Sequence, residues 1–310
     1  MRIVKNELFK LFSNKVLRIM LATLLLINSF SLLFSGGKFG DDNYEIPDSA
    51  FRLMQADLSE ISNEKRLEFI EEKIYEQQVY SALSQAERLP ENTDTILYFP
   101  ILSEENAQEY IINYTNSVAA YHYTDNISSE LRFLELILLQ ANEVYGYGEY
   151  LDEIQLQAQR MSAGVFFQNP DSFAVKNIQK TAQAYEKIQN RELSYNITKS
   201  VRTASDNRIM DICVLLAVCF SAMILICGEH EIGAFSLLKT LKKGQSGLII
   251  CKSAALLVFC ISATTIFMAD SIIISGIRFG FCNLNVPIQS VSGFLGCTLN
   301  IRLWQYLLLF

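Results

Sequence analysis

The sequence has few residues suited to acid–base or metal chemistry. Its 310 residues include only two histidines, His122 and His230. It contains no G-x-x-x-x-G-K-[ST] motif for nucleotide phosphates, and neither the G-x-S-x-G nor the H-E-x-x-H motif of hydrolases. No spacing of cysteine and histidine matches a zinc site. We therefore predict a chain that is not an enzyme and that binds no metal and no cofactor by itself.

Cysteine is missing from the first 212 residues, because all seven cysteines lie at or after Cys213. The long polar segment 35–208 must therefore be stabilised by core packing and not by disulfides. Two of the cysteines, Cys282 and Cys297, fall in a later loop that we predict to be external. They could pair there.

Apolar residues are abundant and unevenly distributed. They make up 50% of the chain, and the mean hydropathy is +0.20. Long apolar runs occupy 16–34, 209–227 and 247–277, and each is long enough to cross the roughly 30 Å hydrocarbon core of a bilayer. We predict three complete transmembrane helices. The first run could also be read as a signal peptide, but no A-x-A-like cleavage site follows it.

Basic residues lie beside the apolar runs, whereas the long polar segment is acidic. Residues 1–18 hold five Lys/Arg and one acid, while residues 38–208 hold 15 Lys/Arg and 28 Asp/Glu. The positive-inside rule then places residues 1–15, an amphipathic interfacial helix, and the loop 228–246 in the cytoplasm. The segment 35–208 becomes extracellular, and the chain is predicted to be a multi-pass protein of the plasma membrane.

Helical spacing of apolar residues dominates the extracellular segment. One pattern begins after Pro47, with Asp48 or Ser49 as the helix cap, and continues until Pro90. Further helices are predicted from Ser103 to Tyr123, from Ser128 to Asn142, from Leu151 onward and after Asn169-Pro170-Asp171. Only Leu193–Thr198 alternates like a strand, and one strand cannot form a sheet. The tyrosines of this segment suggest ligand binding, although half-buried core positions explain them better.

The last residues complete the predicted architecture. Residues 278–302 form an extracellular loop, and residues 303–310 begin a fourth apolar run that is too short to cross a bilayer. We expect the sequence to end inside a fourth span. The predicted fold class is an all-α membrane protein with three complete transmembrane helices, the start of a fourth, and a large helical extracellular domain between the first and second.

Three charged residues lie in or beside the predicted spans. Asp211 is in the first external turn of the second span, where a helix N-terminus favours a carboxylate, and we interpret it as an anchor. Lys252 is close enough to the cytoplasmic end of the third span to snorkel. Asp270 lies about 27 Å further along the same helix, near the outer headgroups, and is a candidate functional residue.

The loop 228–246 is a short polar segment between two apolar runs, and its apolar residues recur at helical spacing. The series Glu229-His230-Glu231-Ile232-Gly233, followed by Leu237-Leu238-Lys239-Thr240, resembles the cytoplasmic loop of ABC transporter permeases of the type 2, exporter class. In that family the loop forms a coupling helix that docks on the ATPase subunit. The alternative is a solvated turn whose lysines hold the topology. The resemblance implies coupling roles for Glu229, Glu231, Gly233, Phe235, Leu238 and Leu241.

The resemblance also implies a function. The chain would be the membrane-spanning permease subunit of a bacterial ATP-driven transporter that exports an unidentified substrate. Its partners would be an ABC ATPase that uses ATP and Mg, a second permease copy and the lipid bilayer, with no nucleic acid. Such permeases commonly have six spans, so the present sequence would be truncated at its C-terminus. The alternative is a membrane-anchored sensor or envelope-binding protein with an extracellular helical domain.

Overall fold

The computed structural model describes residues 2–34, 46–89, 98–115, 122–162, 172–188, 191, 193–231 and 244–309. These ranges are mostly helical and contain no β-strand. The α-helices, numbered along the chain, are α1 Arg2–Ser13, α2 Lys15–Phe34, α3 Asp48–Glu60, α4 Arg66–Ala86, α5 Ala107–Thr115, α6 Ile127–Tyr145, α7 Tyr147–Ser162, α8 Phe173–Glu186, α9 Lys199–Ser205, α10 Arg208–Glu231, α11 Gly244–Phe279 and α12 Leu303–Leu309.

Three of these helices are long and apolar enough to cross a membrane, which confirms that the three predicted apolar runs are helical. The apolar stretches are Lys15–Phe34 in α2, Arg208–Cys227 in α10 and Ile249–Phe279 in α11. A helix satisfies the backbone groups of such a run internally, which is what the hydrocarbon region of a bilayer requires. The helices α10 and α11 extend past the apolar stretches, to Glu231 and from Gly244 respectively.

The chain forms two compact units. The first contains residues 1–36, 199–278 and 307–310, and the second contains residues 37–198 and 279–306. In the first unit α2 packs along α10, and α1 contacts both helices. A small apolar cluster formed by Leu11, Leu17, Leu225, Phe259 and Ala263 lies among α1, α2, α10 and α11.

The second unit has a larger apolar core. The helix α4 packs along α6, α5 packs against α4, and α7 packs against α8. Phe51 of α3 meets Phe133 of α6 edge to face, with 5.2 Å between the ring centres, and meets Phe279 in the same way at 6.1 Å. Such aromatic pairs add about 0.5–1.5 kcal/mol beyond the burial of their area.

The first predicted helix of the second unit differs from its prediction in two ways. Asp48 is the first residue of α3, and the N-cap is Pro47, which makes no side-chain cap bond. The N-cap position is therefore one residue before the predicted Asp48 or Ser49. The continuous pattern also breaks after Glu60, because Ile61 and Ser62 are extended and a short 3₁₀ turn, Asn63–Lys65, precedes α4. The side chain of Asn63 explains the break, since it binds Leu193 and Tyr145.

The helix predicted from Ser103 to Tyr123 is shorter in the structure. Ser103 ends a 3₁₀ turn, and α5 covers only Ala107–Thr115. Tyr123 is not helical, because the backbone N–H groups of residues 122–124 donate to the carboxylate of Glu130 at 2.7–3.1 Å. Glu130 is 1% exposed and lies in the first turn of α6. Asn126 caps that helix by accepting from the N–H of Ser129.

The segment Leu193–Thr198 has no strand partner and forms no strand. Its alternate residues Leu193, Tyr195 and Ile197 are buried, as their spacing indicates. Side chains satisfy its backbone: Arg66 donates to the carbonyl of Tyr195 at 2.7 Å, and Gln55 accepts from the N–H of Ile197 at 3.0 Å. A buried extended segment is stable here without a sheet because those bonds replace the ladder.

The loop predicted at 278–302 begins two residues later than predicted, because α11 continues to Phe279. Gly280 then takes a left-handed conformation, with φ of 92°, which side chains other than glycine rarely adopt. Residues 287 and 302 form an isolated antiparallel bridge, and Cys282 and Cys297 are both thiols. The predicted start of a fourth span corresponds to the seven-residue helix α12.

Candidate functional site

A group of polar side chains joins the three long apolar helices of the first unit. Asn28 and Ser29 belong to α2, Asp270 and Ser271 belong to α11, and Asn207 directly precedes α10. Nδ2 of Asn28 donates to Oδ2 of Asp270 at 2.8 Å and to Oγ of Ser271 at 3.1 Å. We call these five residues the polar junction.

Asn28 lies at the centre of the polar junction. Its side chain is fully buried, at 0% exposure. Nδ2 of Asn207 donates to Oδ1 of Asn28 at 2.8 Å, while Oδ1 of Asn207 accepts from the N–H of Ile209 at 3.2 Å. The amide of Asn28 therefore both donates and accepts, so its burial leaves no unmet hydrogen bond. Through Asn207 it also connects α2 to the first turn of α10.

Asp270 is surrounded by neutral donors. The hydroxyl of Ser29 lies 3.0 Å and 3.1 Å from the two carboxylate oxygens, and Asn28 donates to one of them. An ionisable side chain inside a transmembrane segment is costly, and such residues usually face the interior of the helix bundle. In this structure the carboxylate of Asp270 faces α2, so part of its lost hydration is replaced by these donors.

Two further polar features follow the polar junction along α2 and α11. The guanidinium of Arg278, two turns beyond Asp270, donates to the carbonyl of Leu32, one turn beyond Asn28. Ser275 lies between them on α11, is fully buried, and has no hydrogen-bond partner for its hydroxyl in the described part of the chain. The polar contacts between α2 and α11 thus continue for about two helical turns.

The other two predicted polar residues lie apart from the polar junction. Nζ of Lys252 donates to the carbonyl of Leu225 in α10 at 2.5 Å, so the ammonium is held by a neighbouring span. Asp211 is exposed in the first turn of α10, as the anchor interpretation predicts. Of the three charged residues predicted from sequence, only Asp270 takes part in the polar junction.

The predicted coupling residues lie mostly outside the described residues. Glu229 and Glu231 are in the last turn of α10, whose backbone is helical to Glu231. Gly233, Phe235, Leu238 and Leu241 lie in the range 232–243, which the structure does not describe. The coupling interpretation therefore remains a prediction from sequence.

Sequence reasoning missed Asn28, Ser29, Ser271 and Asn207. The signal was present, because Asn28 is the only amide within the apolar run Lys15–Phe34. A buried amide within a span requires a partner, and Asp270 is the acidic residue of the third span. What the sequence could not show is that α2 and α11 place these two positions side by side.

The second unit carries three tyrosine–glutamate pairs on or beside α4, one of which joins α4 to α5. The hydroxyl of Tyr75 donates to Glu104 at 2.7 Å, that of Tyr80 donates to Glu76 at 3.0 Å, and Tyr110 donates to Glu72 at 3.3 Å. Burial, and after it the charge of Glu72, raises the pKa of Tyr110 to about 12. Tyr80 is buried, whereas Tyr75 and Tyr110 are half-buried, and all three hydroxyls bind neighbouring carboxylates. This favours the structural interpretation of Tyr110.

The described residues contain no group of three or more His, Cys, Asp or Glu side chains that could hold a metal ion. Comparison of the chain with protein-family models, curated proteins and solved structures finds no match. Support for a function therefore comes from the polar junction, from the three long apolar helices and from the loop sequence.

Proposed function

We propose that the chain is the membrane-spanning permease subunit of an ATP-driven ABC transporter of the exporter class. In this proposal it works with a separate ATPase, which binds ATP and Mg, and with a second permease copy in the plasma membrane. The segment 35–208 lies outside the cell, and both the N-terminus and the loop 228–246 lie in the cytoplasm. The substrate is an unidentified molecule moved outward.

The polar junction carries this proposal. A protein that only needs anchoring can use one apolar helix, whereas this chain has three and places a carboxylate between them. Polar and ionisable residues that face the interior of a helix bundle commonly mark substrate pathways or moving parts in transport proteins. Hydrogen bonds such as those of Asn28 can break and re-form as spans shift, which suits a permease better than a static anchor.

The loop between α10 and α11 adds independent support. It joins the second and third spans, and it carries Lys239, Lys242 and Lys243 next to an apolar helical stripe. In the proposal Phe235 and Leu238 of that stripe are buried in a groove of the ATPase. Closure of the ATPase on ATP would then be transmitted through α10 and α11 to the polar junction.

A sensor or envelope-binding protein is the second candidate. The size of the second unit favours it, because that unit has an apolar core of its own extending from Ile46 to Phe279. A sensor needs a domain that binds a ligand, whereas a permease needs an ATPase. The identity of the cytoplasmic partner therefore separates the two candidates.

The proposal is tested by purifying the tagged full-length chain from its native membrane in mild detergent. We expect a P-loop ATPase to co-purify and to hydrolyse Mg-ATP. Phe235→Asp and Leu238→Asp should each weaken this association at least tenfold, because each removes an apolar contact worth about 1.5–3 kcal/mol and introduces a carboxylate. The control is Lys242→Ala, which removes only a peripheral charge and should cost less than about 1 kcal/mol.

The polar junction is tested in the same complex. Asp270→Asn should retain the ATPase and lower its rate of hydrolysis, because the loop is intact but the contact between α2 and α11 is weakened. Asp211→Asn, at an exposed position, should change neither the binding of the ATPase nor its rate of hydrolysis. The permease proposal is wrong, and the sensor is favoured, if Phe235→Asp and Leu238→Asp both bind the ATPase as well as the parent does. The same conclusion follows if a histidine kinase co-purifies instead.

A further inference from the structure

A narrow apolar groove of about 50 Å³ lies within the first unit between α1, α2 and α11. The rings of Phe12 and Phe259 meet at 5.8 Å, which closes one side of the groove. It is lined by Phe12 of α1, Leu21 and Leu25 of α2, and Phe259, Ser262 and Ile266 of α11. All but one of these residues are apolar.

The groove opens toward the surroundings of the helices. Phe12 is 45% exposed and Ile266 is 50% exposed, so no other described helix covers them. Leu21, Leu25 and Ile266 belong to stretches that are long and apolar enough to span a membrane. In a membrane the surroundings of such side chains are hydrocarbon, so the occupant that fits the groove is a lipid acyl chain.

A cation lies at one end of the same helix face. Arg18, Leu21 and Leu25 are separated by three and four residues, so they share one side of α2. Arg18 is exposed, and one N–H of its guanidinium donates to the carbonyl of Ser13 at 3.3 Å. A guanidinium has five N–H donors in a fork that matches phosphate oxygens, so donors remain for a headgroup.

The position of Arg18 suits a phospholipid. Leu21 and Leu25 lie about 4.5 Å and 10 Å from Arg18 along the helix axis. A phospholipid whose phosphate lies at Arg18 would therefore place the upper part of its acyl chain against both leucines. The exposed Lys15 lies one turn earlier on α2, and the neighbouring acid Glu7 is already bonded to Lys10 at 2.8 Å. The positive charge at this end of α2 is thus largely available to an anion.

We propose that Arg18 and the apolar groove bind one anionic phospholipid of the leaflet in which α1 lies. The groove holds a segment of an acyl chain, and Arg18, supported by Lys15, binds the headgroup phosphate. This inference depends on the membrane-spanning helices alone and is independent of the proposed transport function. It gives α1 a further role, because Phe12 of that helix forms one wall of the site.

The test uses the full-length chain purified in mild detergent with equal amounts of phosphatidylglycerol and phosphatidylcholine. Native mass spectrometry counts the lipids that remain bound. We expect the parent to retain about five times more phosphatidylglycerol, in line with the usual contribution of one Lys or Arg beside an anionic headgroup. Arg18→Gln should make the retained amounts of the two lipids equal. The matched control is Arg208→Gln, which removes an exposed arginine at the start of α10.

A second pair of variants tests the groove without changing charge. Ser262→Phe fills the groove and should remove the retained phosphatidylglycerol, whereas Ser253→Phe, at an exposed position earlier on α11, should not. The inference is wrong if the parent retains both lipids equally. It is also wrong if Arg18→Gln keeps the preference as Arg208→Gln does, or if Ser262→Phe retains lipid as Ser253→Phe does.

Discussion

Asn28 shows how one amide can organise a membrane bundle. In a bilayer the hydrophobic effect does not drive one span against another, so interhelical hydrogen bonds and close packing decide which helices associate. Asn28 contributes three such bonds from a fully buried position, to Asp270, Ser271 and Asn207. An apolar residue at position 28 would leave Asp270 with fewer donors and Asn207 with an unmet amide.

We therefore predict that Asn28→Leu lowers the free energy of unfolding by about 1–3 kcal/mol, from polar groups left unpaired. The measurement is the thermal midpoint of the purified chain in detergent. Thr23→Val on the same helix is the control, because the Thr23 hydroxyl donates to the carbonyl of Ile19 within its own helix. A midpoint for Asn28→Leu equal to that of Thr23→Val would show that the polar junction does not hold the spans together.

Glu130 plays a comparable role in the second unit. Its buried carboxylate accepts from the N–H groups of His122, Tyr123 and Thr124, so one side chain shapes a three-residue segment. Charge-assisted bonds of this kind are about twice as strong as neutral ones. The same carboxylate is favoured by the N-terminal end of α6.

The prediction is that Glu130→Gln increases hydrogen exchange at the amides of residues 122–124. An amide side chain keeps the size of Glu130 but is a weaker hydrogen-bond acceptor, so the free energy of local opening should fall by about 1–3 kcal/mol. Exchange is measured by mass spectrometry on the full-length chain, with Glu135→Gln, exposed on the same helix, as the control. Unchanged protection in Glu130→Gln would mean that other contacts hold the segment.

At the scale of elements, α4 and α5 meet through tyrosine and glutamate side chains. The rings of Tyr75 and Tyr110 lie 6.0 Å apart edge to face, and those of Tyr80 and Tyr114 lie 5.6 Å apart. Burial and neighbouring glutamates raise the pKa of Tyr75, Tyr80 and Tyr110. The contact between these two helices therefore requires that the phenols keep their protons.

We predict a loss of stability at alkaline pH. Between pH 10 and about 12 the unfolded chain gives up the Tyr110 proton while the folded chain retains it, so the free energy of unfolding falls as pH rises. Chemical unfolding followed by circular dichroism at a series of pH values measures the slope. Tyr110→Phe should reduce that slope, and Tyr98→Phe, at a 63% exposed tyrosine, should not. Equal slopes in both variants would contradict the prediction.

At the scale of the whole molecule, the arrangement of charge along the sequence predicts the orientation. Five Lys/Arg lie in residues 1–18, before the first span. A further basic group, Lys239, Lys242 and Lys243, lies between the second and third spans. Both groups can be cytoplasmic only if the first span leads out and the second returns. The segment 35–208 is then outside.

Labelling of single cysteines tests this orientation. In a background where all seven native cysteines are replaced, a reagent that cannot cross membranes should modify Ser103→Cys in intact cells and spare Ser246→Cys. Permeabilised cells provide the control, since both positions should then react. Labelling of Ser246→Cys alone in intact cells would show that the orientation is opposite to the proposed one.

The spans and several helices of the second unit were predictable because their signals are local. An apolar run of twenty residues has one stable state in a bilayer, and the periodic pattern of α6 brings Phe133, Leu134 and Ile137 to one buried face. The errors occurred where distant side chains intervened. Asn63 is part of the break between α3 and α4, and Glu130 keeps Tyr123 out of a helix.

The sequence by itself determined which segments are long and apolar enough to cross a membrane and where charge is concentrated. Both properties depend on residues that are neighbours in the chain. Only the tertiary structure decided that Asn28, Asn207 and Asp270 form one hydrogen-bonded group. These positions are separated by as many as 242 residues, and no periodicity relates them. Their association depends on how three helices pack, because each buried polar group must find its partner on another helix.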